Sequence, residues 1–160
     1  MQVFVPEYTL SESVQCLDES RLGNQIWREA KTIIQGGWPN HPASVAWSKN
    51  KQALAKYCLY GLTELYVNRG DISKQTFDEH WNFFRPFLGK PVGEYAVQTK
   101  KVPEANPLHL PVILPWWWGD KRIHESHQSN LLRKDYVYYS QFEWKVQPRD
   151  GYVWPSPRGY

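Results

Sequence analysis

Cysteine and methionine are scarce in this chain: there are two cysteines, Cys16 and Cys58, and one methionine. Both cysteines fall among apolar neighbours in helical patterns. That reads as two reduced, buried thiols rather than a disulfide, and so as a cytoplasmic protein. Two cysteines with dispersed histidines also lack the spacing of a structural zinc site, so neither a metal nor a cofactor is expected. No apolar run approaches the roughly 18 residues of a membrane span. The start of the chain has no charged region followed by an apolar one, so no signal peptide is read there. There is no G-x-x-x-x-G-K-[ST] phosphate loop, no G-x-S-x-G elbow and no H-E-x-x-H. His124-Glu125-Ser126-His127 has the wrong spacing for that zinc motif. Internal repeats and low-complexity segments are absent as well. Charge of one sign is not in large excess either. The net charge of +3 permits nucleic-acid binding without demanding it.

Aromatic residues, by contrast, are abundant. Nine Trp and ten Tyr in 160 residues exceed what one core needs. Their rings carry a polar handle and suit surfaces that stack on planar ligands. The length is that of one domain. The pattern predicts an all-α, compact single-domain helical bundle with long proline-rich loops. Helices are expected near 11–35, 43–69, 73–84 and 120–140, with irregular chain over 86–119 and 145–160.

MQVFVPEY opens as an extended apolar segment. Thr9 or Ser11 can cap the first helix, and Gly36-Gly37 ends it. Leu22, Ile26, Ala30 and Ile33 make an apolar stripe at helical spacing. Beside it runs a polar stripe, Asp18, Arg21, Gln25 and Glu29, flanked by apolar residues on both sides. A solvated face would be broad and polar throughout. The stripe is therefore either an internal ladder of ion pairs or a polar seam inside a cleft, where the Glu29 carboxyl can be tuned.

The loop Gly36 to Pro42 packs Trp38, Asn40 and His41 between prolines, and a rigid loop presents functional groups. Alternatively, Trp38 plugs the core. The spacing of Phe77, Trp81 and Phe84 gives a third helix, on which His80 reads as structural. Pro86 to Pro115 holds six of the twelve prolines and the basic pair Lys100-Lys101, and reads as a long functional loop. Of the adjacent Trp116, Trp117 and Trp118, at least one should be exposed or at an interface.

Asp120 is a good N-cap for the helix that follows. On it His124, His127, Leu131 and Lys134 share one side, with Asn130 and Arg133 beside it. Such a face is expensive to bury without partners, so it faces water or lines a site. If it lines a site, it is the second wall of a cleft whose first wall carries Glu29, with His124 or His127 near Glu29 and His41.

Basic side chains contact phosphates, and aromatic rings hold or replace an unstacked base, so the combination fits nucleic-acid chemistry. The segments LDESRLGNQIWREAKTII, GGWPNHPA, HESHQSNLLRKDYVYY and YVWP, in that order, resemble the pyrimidine-dimer DNA glycosylase family, the phage-type endonuclease V group, in its larger phage and bacterial branch.

The resemblance implies a small, mainly helical DNA-repair enzyme. In the founding branch an N-terminal α-amine attacks C1′ of the damaged nucleotide, a Schiff base forms, and β-elimination nicks the strand. A glutamate assists, and arginines clamp a kinked duplex. Amines of this class have a reference pKa of about 8, so a useful fraction is neutral near physiological pH. On this chain the resemblance makes Glu29 the acid/base group, Met1 the nucleophile and Arg21 a catalytic neighbour. Gln25, Asn40, His41, His124, His127 and Asn130 would line the pocket. Arg28, Trp38, Lys121, Arg133 and Lys134 would contact DNA. Residue 2 is Gln, too bulky for ordinary Met removal, so either the Met1 amine itself serves or this branch uses no N-terminal amine. The partner is damaged or modified double-stranded DNA, met by a monomer with no membrane, in the host's cytoplasm if the chain is phage-encoded. Two other functions fit the same surface: a non-catalytic module that binds distorted or modified DNA, and a nucleotide or small-molecule enzyme.

Overall fold

The computed structural model describes residues 1–89 and 106–156. Lys100-Lys101, much of the proline-rich loop and the last four residues lie outside them. The fold is all-α, and the described residues contain no strand. Eight α-helices are used below: α1 (Leu10–Cys16), α2 (Glu19–Asn24), α3 (Lys31–Ile34), α4 (Pro42–Trp47), α5 (Lys51–Thr63), α6 (Lys74–Phe84), α7 (Lys121–Lys134) and α8 (Tyr136–Tyr139). A π-helical stretch, Gln25–Ala30, joins α2 to α3 without a break, and another, Glu64–Asn68, extends α5.

The centre of the bundle is α5. Its Ala53, Leu54, Ala55, Tyr57, Cys58, Leu59, Gly61 and Leu62 are all buried. A helix apolar on nearly all sides belongs inside. Each fully buried Leu stabilises the fold by roughly 1.5–3 kcal/mol. Leu22, Ile26, Ala30 and Ile33, the stripe read from the sequence, are buried as well. The rod over residues 19–34 approaches α5 closely at Gly61, where a Cβ would meet Ile26 Cδ1 at 2.6 Å and Leu22 Cδ1 at 3.1 Å. Glycine is what permits that approach.

Three expected helices are interrupted, the first two with distant partners at the break and the third at a local cap. The helix near 11–35 breaks at Leu17, which is extended, and restarts at Asp18, whose carboxylate accepts from Arg21 N at 3.2 Å. Arg69 covers the carbonyls freed at that break: Nη1 donates to Leu17 O at 2.7 Å and Nη2 to Gln15 O at 3.0 Å. The helix near 43–69 breaks at Ser48 to Asn50. There Trp117 Nε1 donates to Ala46 O at 2.8 Å and Asn50 Nδ2 to Ile113 O at 3.1 Å. The helix near 120–140 ends at Lys134, and Asp135 starts α8 by accepting from Tyr138 N at 3.1 Å. Asp120 caps α7 as its sequence suggests, accepting from Arg122 N at 3.0 Å.

The N-terminal segment is the organising feature. Residues 2–6 are buried, and Val3 and Val5 are wholly so, yet the segment pairs with no strand. Buried backbone groups must still find partners, and side chains supply them. Phe4 N donates to Gln25 Oε1 at 2.9 Å, and Phe4 O accepts from Tyr57 Oη at 2.6 Å. Val5 N donates to His127 Nδ1 at 2.9 Å, and Val5 O accepts from His124 Nδ1 at 2.7 Å. Pro6 O accepts from Gln128 Nε2 at 2.7 Å, and Ser13 Oγ bonds both Glu7 N and Glu7 O. Seven polar contacts from four parts of the chain thus hold the four residues Phe4 to Glu7 in place.

This corrects the reading of the α7 face. His124, His127 and Asn130 neither face water nor line an open cleft; they are buried. The polar face is affordable because its partners are backbone atoms. His124 donates from Nδ1 to Val5 O, so its Nε2 is free to accept from Gly119 N at 3.0 Å. His127 accepts at Nδ1. Both imidazoles are therefore neutral. Burial lowers the pKa of His124, and it lowers that of His127 to about 3, with His124 adding to the effect. Asn130 Nδ2 donates to Ser126 O at 2.8 Å and Gly151 O at 2.6 Å, tying down the C-terminal segment.

Both cysteines are buried free thiols. Burial pushes Cys16 up to about 12 and Cys58 well above the ordinary thiol range, so neither is a nucleophile. His80 stacks on Trp27 with ring centroids 5.2 Å apart. Its buried Nδ1 finds no hydrogen bond among the described residues, so it is packed rather than satisfied. No helix among the described residues is long and apolar enough to cross a membrane.

Candidate active site

The clamp on the N-terminal segment fixes where the chain begins. Met1 is exposed and Gln2 buried, and both open onto a pocket of about 350 Å³. Its walls also carry Phe4, Arg21, Asn24, Gln25, Glu29, Arg133, Lys134 and Tyr152. Three separate elements meet there: the extended N-terminus, the rod over 19–34, and the end of α7 with the C-terminal segment laid across it.

Glu29 and Arg21 are half-buried on this wall, and Gln25 is buried behind them. Glu29 lies in the π-helical stretch, a distortion that recurs at functional sites. Gln25 accepts from Phe4 N and donates to Tyr57 Oη. It ties the pocket floor to the N-terminal segment and to α5. Arg21 Nη1 pairs with Asp18 at 3.0 Å, and its guanidinium carbon sits 5.8 Å from the Tyr139 ring centroid. Tyr139 Oη donates to the same Asp18 carboxylate. Burial works to raise the Asp18 pKa, but the hydrogen bonds from Tyr139 and Arg21 outweigh it and hold the carboxyl below its ordinary range.

Cations dominate the rim. Arg133 and Lys134 are exposed. Among the described residues Arg133 pairs with Asp150, at 3.6 Å and largely in water, which neutralises it weakly. A pocket lined by Arg21, Arg133 and Lys134 beside Met1 and Glu29 suits an anionic ligand. Among the described residues no three His, Cys, Asp or Glu side chains converge as a metal site would need.

Of the residues read from the sequence, Met1, Arg21, Gln25, Glu29, Arg133 and Lys134 come together here. Others do not. Beyond the buried His124, His127 and Asn130, the loop residues lie elsewhere. Trp38 is 71% exposed at φ 50°, so it does not plug the core. Asn40 is exposed. His41 caps α4 by accepting from Ala43 N at 3.1 Å. Its ring meets Trp154 edge-on at 5.9 Å. Trp154 in turn contacts Tyr152, so that loop reaches the pocket only through two aromatic rings. Arg28 is exposed off the pocket wall, and Lys121 pairs with Glu125 at 3.6 Å on the outside of α7. Neither His124 nor His127 lines the pocket that carries Met1, Arg21 and Glu29, but His127 meets two of its wall residues edge-on, Phe4 and Tyr152, each with ring centroids 5.9 Å away.

Sequence reading missed Gln2, Phe4, Asn24 and Tyr152 as pocket residues. Tyr152 had a signal in the terminal YVWP; the other three had none, since nothing local marks them. A larger hollow of about 640 Å³ lies next door, between α7 and residues 145–153. Size alone would favour it, but it has no pairing of a carboxylate with the chain start. The two share Tyr152 as a common wall. Lys145 and Arg149 line the larger hollow and make no ion pair among the described residues.

Residues 1–79 match the model of the pyrimidine dimer DNA glycosylase family, so the family resemblance carried by the sequence motifs is shown over that stretch. No curated protein and no solved structure matches the chain. The matched stretch contributes Met1, Gln2, Arg21, Gln25 and Glu29 to the pocket, while Arg133, Lys134 and Tyr152 come from beyond it.

Proposed function

We propose that the chain is a DNA glycosylase that excises damaged pyrimidines from double-stranded DNA and then nicks the strand in a lyase step. The observation that carries this reading is that Met1 and Glu29 open onto one pocket with a cationic rim. A damaged nucleotide is unstacked into that pocket, at a cost lowered by the damage itself. Arg21, Arg133 and Lys134 hold the flanking phosphates. The Met1 amine attacks C1′ of the sugar, and the bond from C1′ to the base breaks. Glu29 takes the proton released by the amine and steadies the cationic imine that follows. Removal of a proton from C2′ then expels the 3′ phosphate and nicks the strand. The clamp on residues 4–7 serves this chemistry by restricting the amine's position, which is the entropic part of the catalysis. The protein works as a monomer in the cytoplasm, that of a host cell if it is phage-encoded.

Borohydride trapping on a duplex carrying an ultraviolet-induced pyrimidine dimer tests the reading. A covalent protein–DNA adduct is expected, lost when one residue is added before Met1. Glu29→Gln should abolish base release while DNA binding survives. Binding without adduct, base release or nicking would make the chain a recognition module and overturn the proposal.

A further inference from the structure

Trp38 stands apart from the other tryptophans. It is 71% exposed, and among the described residues its indole meets no other ring and makes no hydrogen bond. Trp27, Trp47, Trp144 and Trp154 each pack against an aromatic neighbour. One exposed apolar ring is ordinary by itself. The backbone beneath this one is not. Trp38 has φ 50°, in the left-handed region that bulky residues avoid. It also precedes Pro39, whose ring pushes the residue before it toward extended conformations. Glycine takes a left-handed φ without strain, and the chain uses it two positions earlier, at Gly36 with φ 82°. The loop holds Trp38 in this conformation from both sides. Gly37 N donates to Thr32 O at 2.9 Å, and His41 N donates to Trp38 O at 3.0 Å. Ser44 Oγ donates to Gly37 O at 3.3 Å, and Pro39 and Pro42 stiffen what lies between. A strained residue that its surroundings keep in place, with its ring held out in water, points to function rather than packing. The loop also continues the rod that carries Glu29: Gly36 follows Glu29 by seven residues, roughly 10 Å of helix rise. Through His41 and Trp154 it touches Tyr152 on the pocket wall.

We infer that the Trp38 indole stacks on DNA, covering the base face that is laid bare inside the duplex when the damaged nucleotide leaves the stack. The inference rests on the glycosylase reading above, which requires a nucleotide to leave. Stacked bases repeat about every 3.4 Å, so the loop begins about three base steps from a nucleotide held at Glu29. Unstacking costs free energy and uncovers the faces of the neighbouring bases. An indole is flat and wide, and it stacks on any base, so it replaces the lost contact whatever the sequence. Apolar side chains inserted at a base step also hold a duplex kinked. Rigid presentation matters because a ring fixed beforehand loses little freedom on insertion. An intact duplex offers no bare face, so the contact discriminates in favour of damaged DNA.

The probe is a duplex carrying a tetrahydrofuran abasic analogue. It has a gap in the stack but neither a glycosidic bond nor a C1′ that can form an imine, so the complex persists. 5-Iodouracil is placed on either strand beside the gap, and the complex is irradiated. A crosslink to Trp38, located by mass spectrometry of the attached peptide, is expected from the gapped duplex and not from the same position in an intact one. Trp38→Ala should bind the gapped duplex about 10- to 100-fold more weakly, in line with loss of one stacking ring. Trp38→Phe, which restores a ring, should recover most of that loss. No crosslink at Trp38 from any of these positions, or full affinity in Trp38→Ala, would overturn the inference. The glycosylase reading would survive that result, because it is judged by base release from a duplex carrying a pyrimidine dimer. A crosslink at Trp38 without such base release would uphold the stacking role and overturn the glycosylase reading instead.

Discussion

His127 Nδ1 accepts the backbone N–H of Val5 at 2.9 Å, joining the middle of α7 to the fifth residue of the chain. Only a neutral imidazole can make this bond. Burial holds the His127 pKa at about 3, and His124, on the other side of the same residue, is lowered too. The unfolded chain takes up protons at these histidines near pH 6.5, where the folded protein does not. Their contribution to stability is complete above that pH and is lost as pH falls toward about 3. Urea denaturation should lose roughly 3 kcal/mol between about pH 7 and pH 4. His127→Gln, which cannot titrate, should show a clearly shallower loss, with the His124 share remaining.

At Gly61 two effects oppose. Alanine favours a helix by roughly 1 kcal/mol over glycine. Its Cβ would lie 2.6 Å from Ile26 Cδ1 and 3.1 Å from Leu22 Cδ1. Both neighbours are fully buried, and overpacking costs about 1–3 kcal/mol. Crowding wins, and Gly61→Ala should lower the denaturation midpoint by the equivalent of about 1 kcal/mol. A rise in the midpoint would show that the rod over 19–34 can shift away from α5.

Tyr139 donates to Asp18, and Asp18 pairs with Arg21 on the pocket wall. Tyr139→Phe removes one donor from a carboxylate that keeps two, Arg21 N and Arg21 Nη1. Stability should drop by about 1–2 kcal/mol, and the Asp18 pKa should rise toward the ordinary carboxylate range. Asp18 stabilises the fold while it is ionised, so its contribution vanishes as pH falls through its depressed folded pKa. In the variant that loss should begin at a higher pH, which carboxyl-resolved NMR titration would record.

Lys145 and Arg149 line the hollow that shares Tyr152 with the active pocket. If DNA runs across both, each cation that meets a phosphate adds about 0.9 to the slope of log affinity against log salt. The double variant Lys145→Ala, Arg149→Ala should bind duplex DNA more weakly and flatten that slope by about one to two units. Its single-turnover rate at saturating protein should be unchanged. Equal slopes for the two proteins would take the DNA off this face.

The helical class, the buried stripe Leu22, Ile26, Ala30 and Ile33, and the caps at Asp120 and at Thr9, one of two candidates with Ser11, were legible in the sequence. Each depends on residues within a turn or two of one another, where spacing is enough. The resemblance to the family matched over residues 1–79 was legible too, because motifs are read as strings. Six of the pocket residues, Met1, Arg21, Gln25, Glu29, Arg133 and Lys134, could be named on those grounds. What the polar groups do was decided only by the tertiary structure. His124 and His127 satisfy the backbone of residue 5 from more than a hundred positions away, and no local pattern reveals that an unpaired extended segment needs them. The breaks at Leu17 and Ser48 to Asn50 likewise follow from distant partners, Arg69 for the first and Trp117 and Ile113 for the second. Helical periodicity places a histidine on a face, but the free energy of burying it is set by what the rest of the chain brings there.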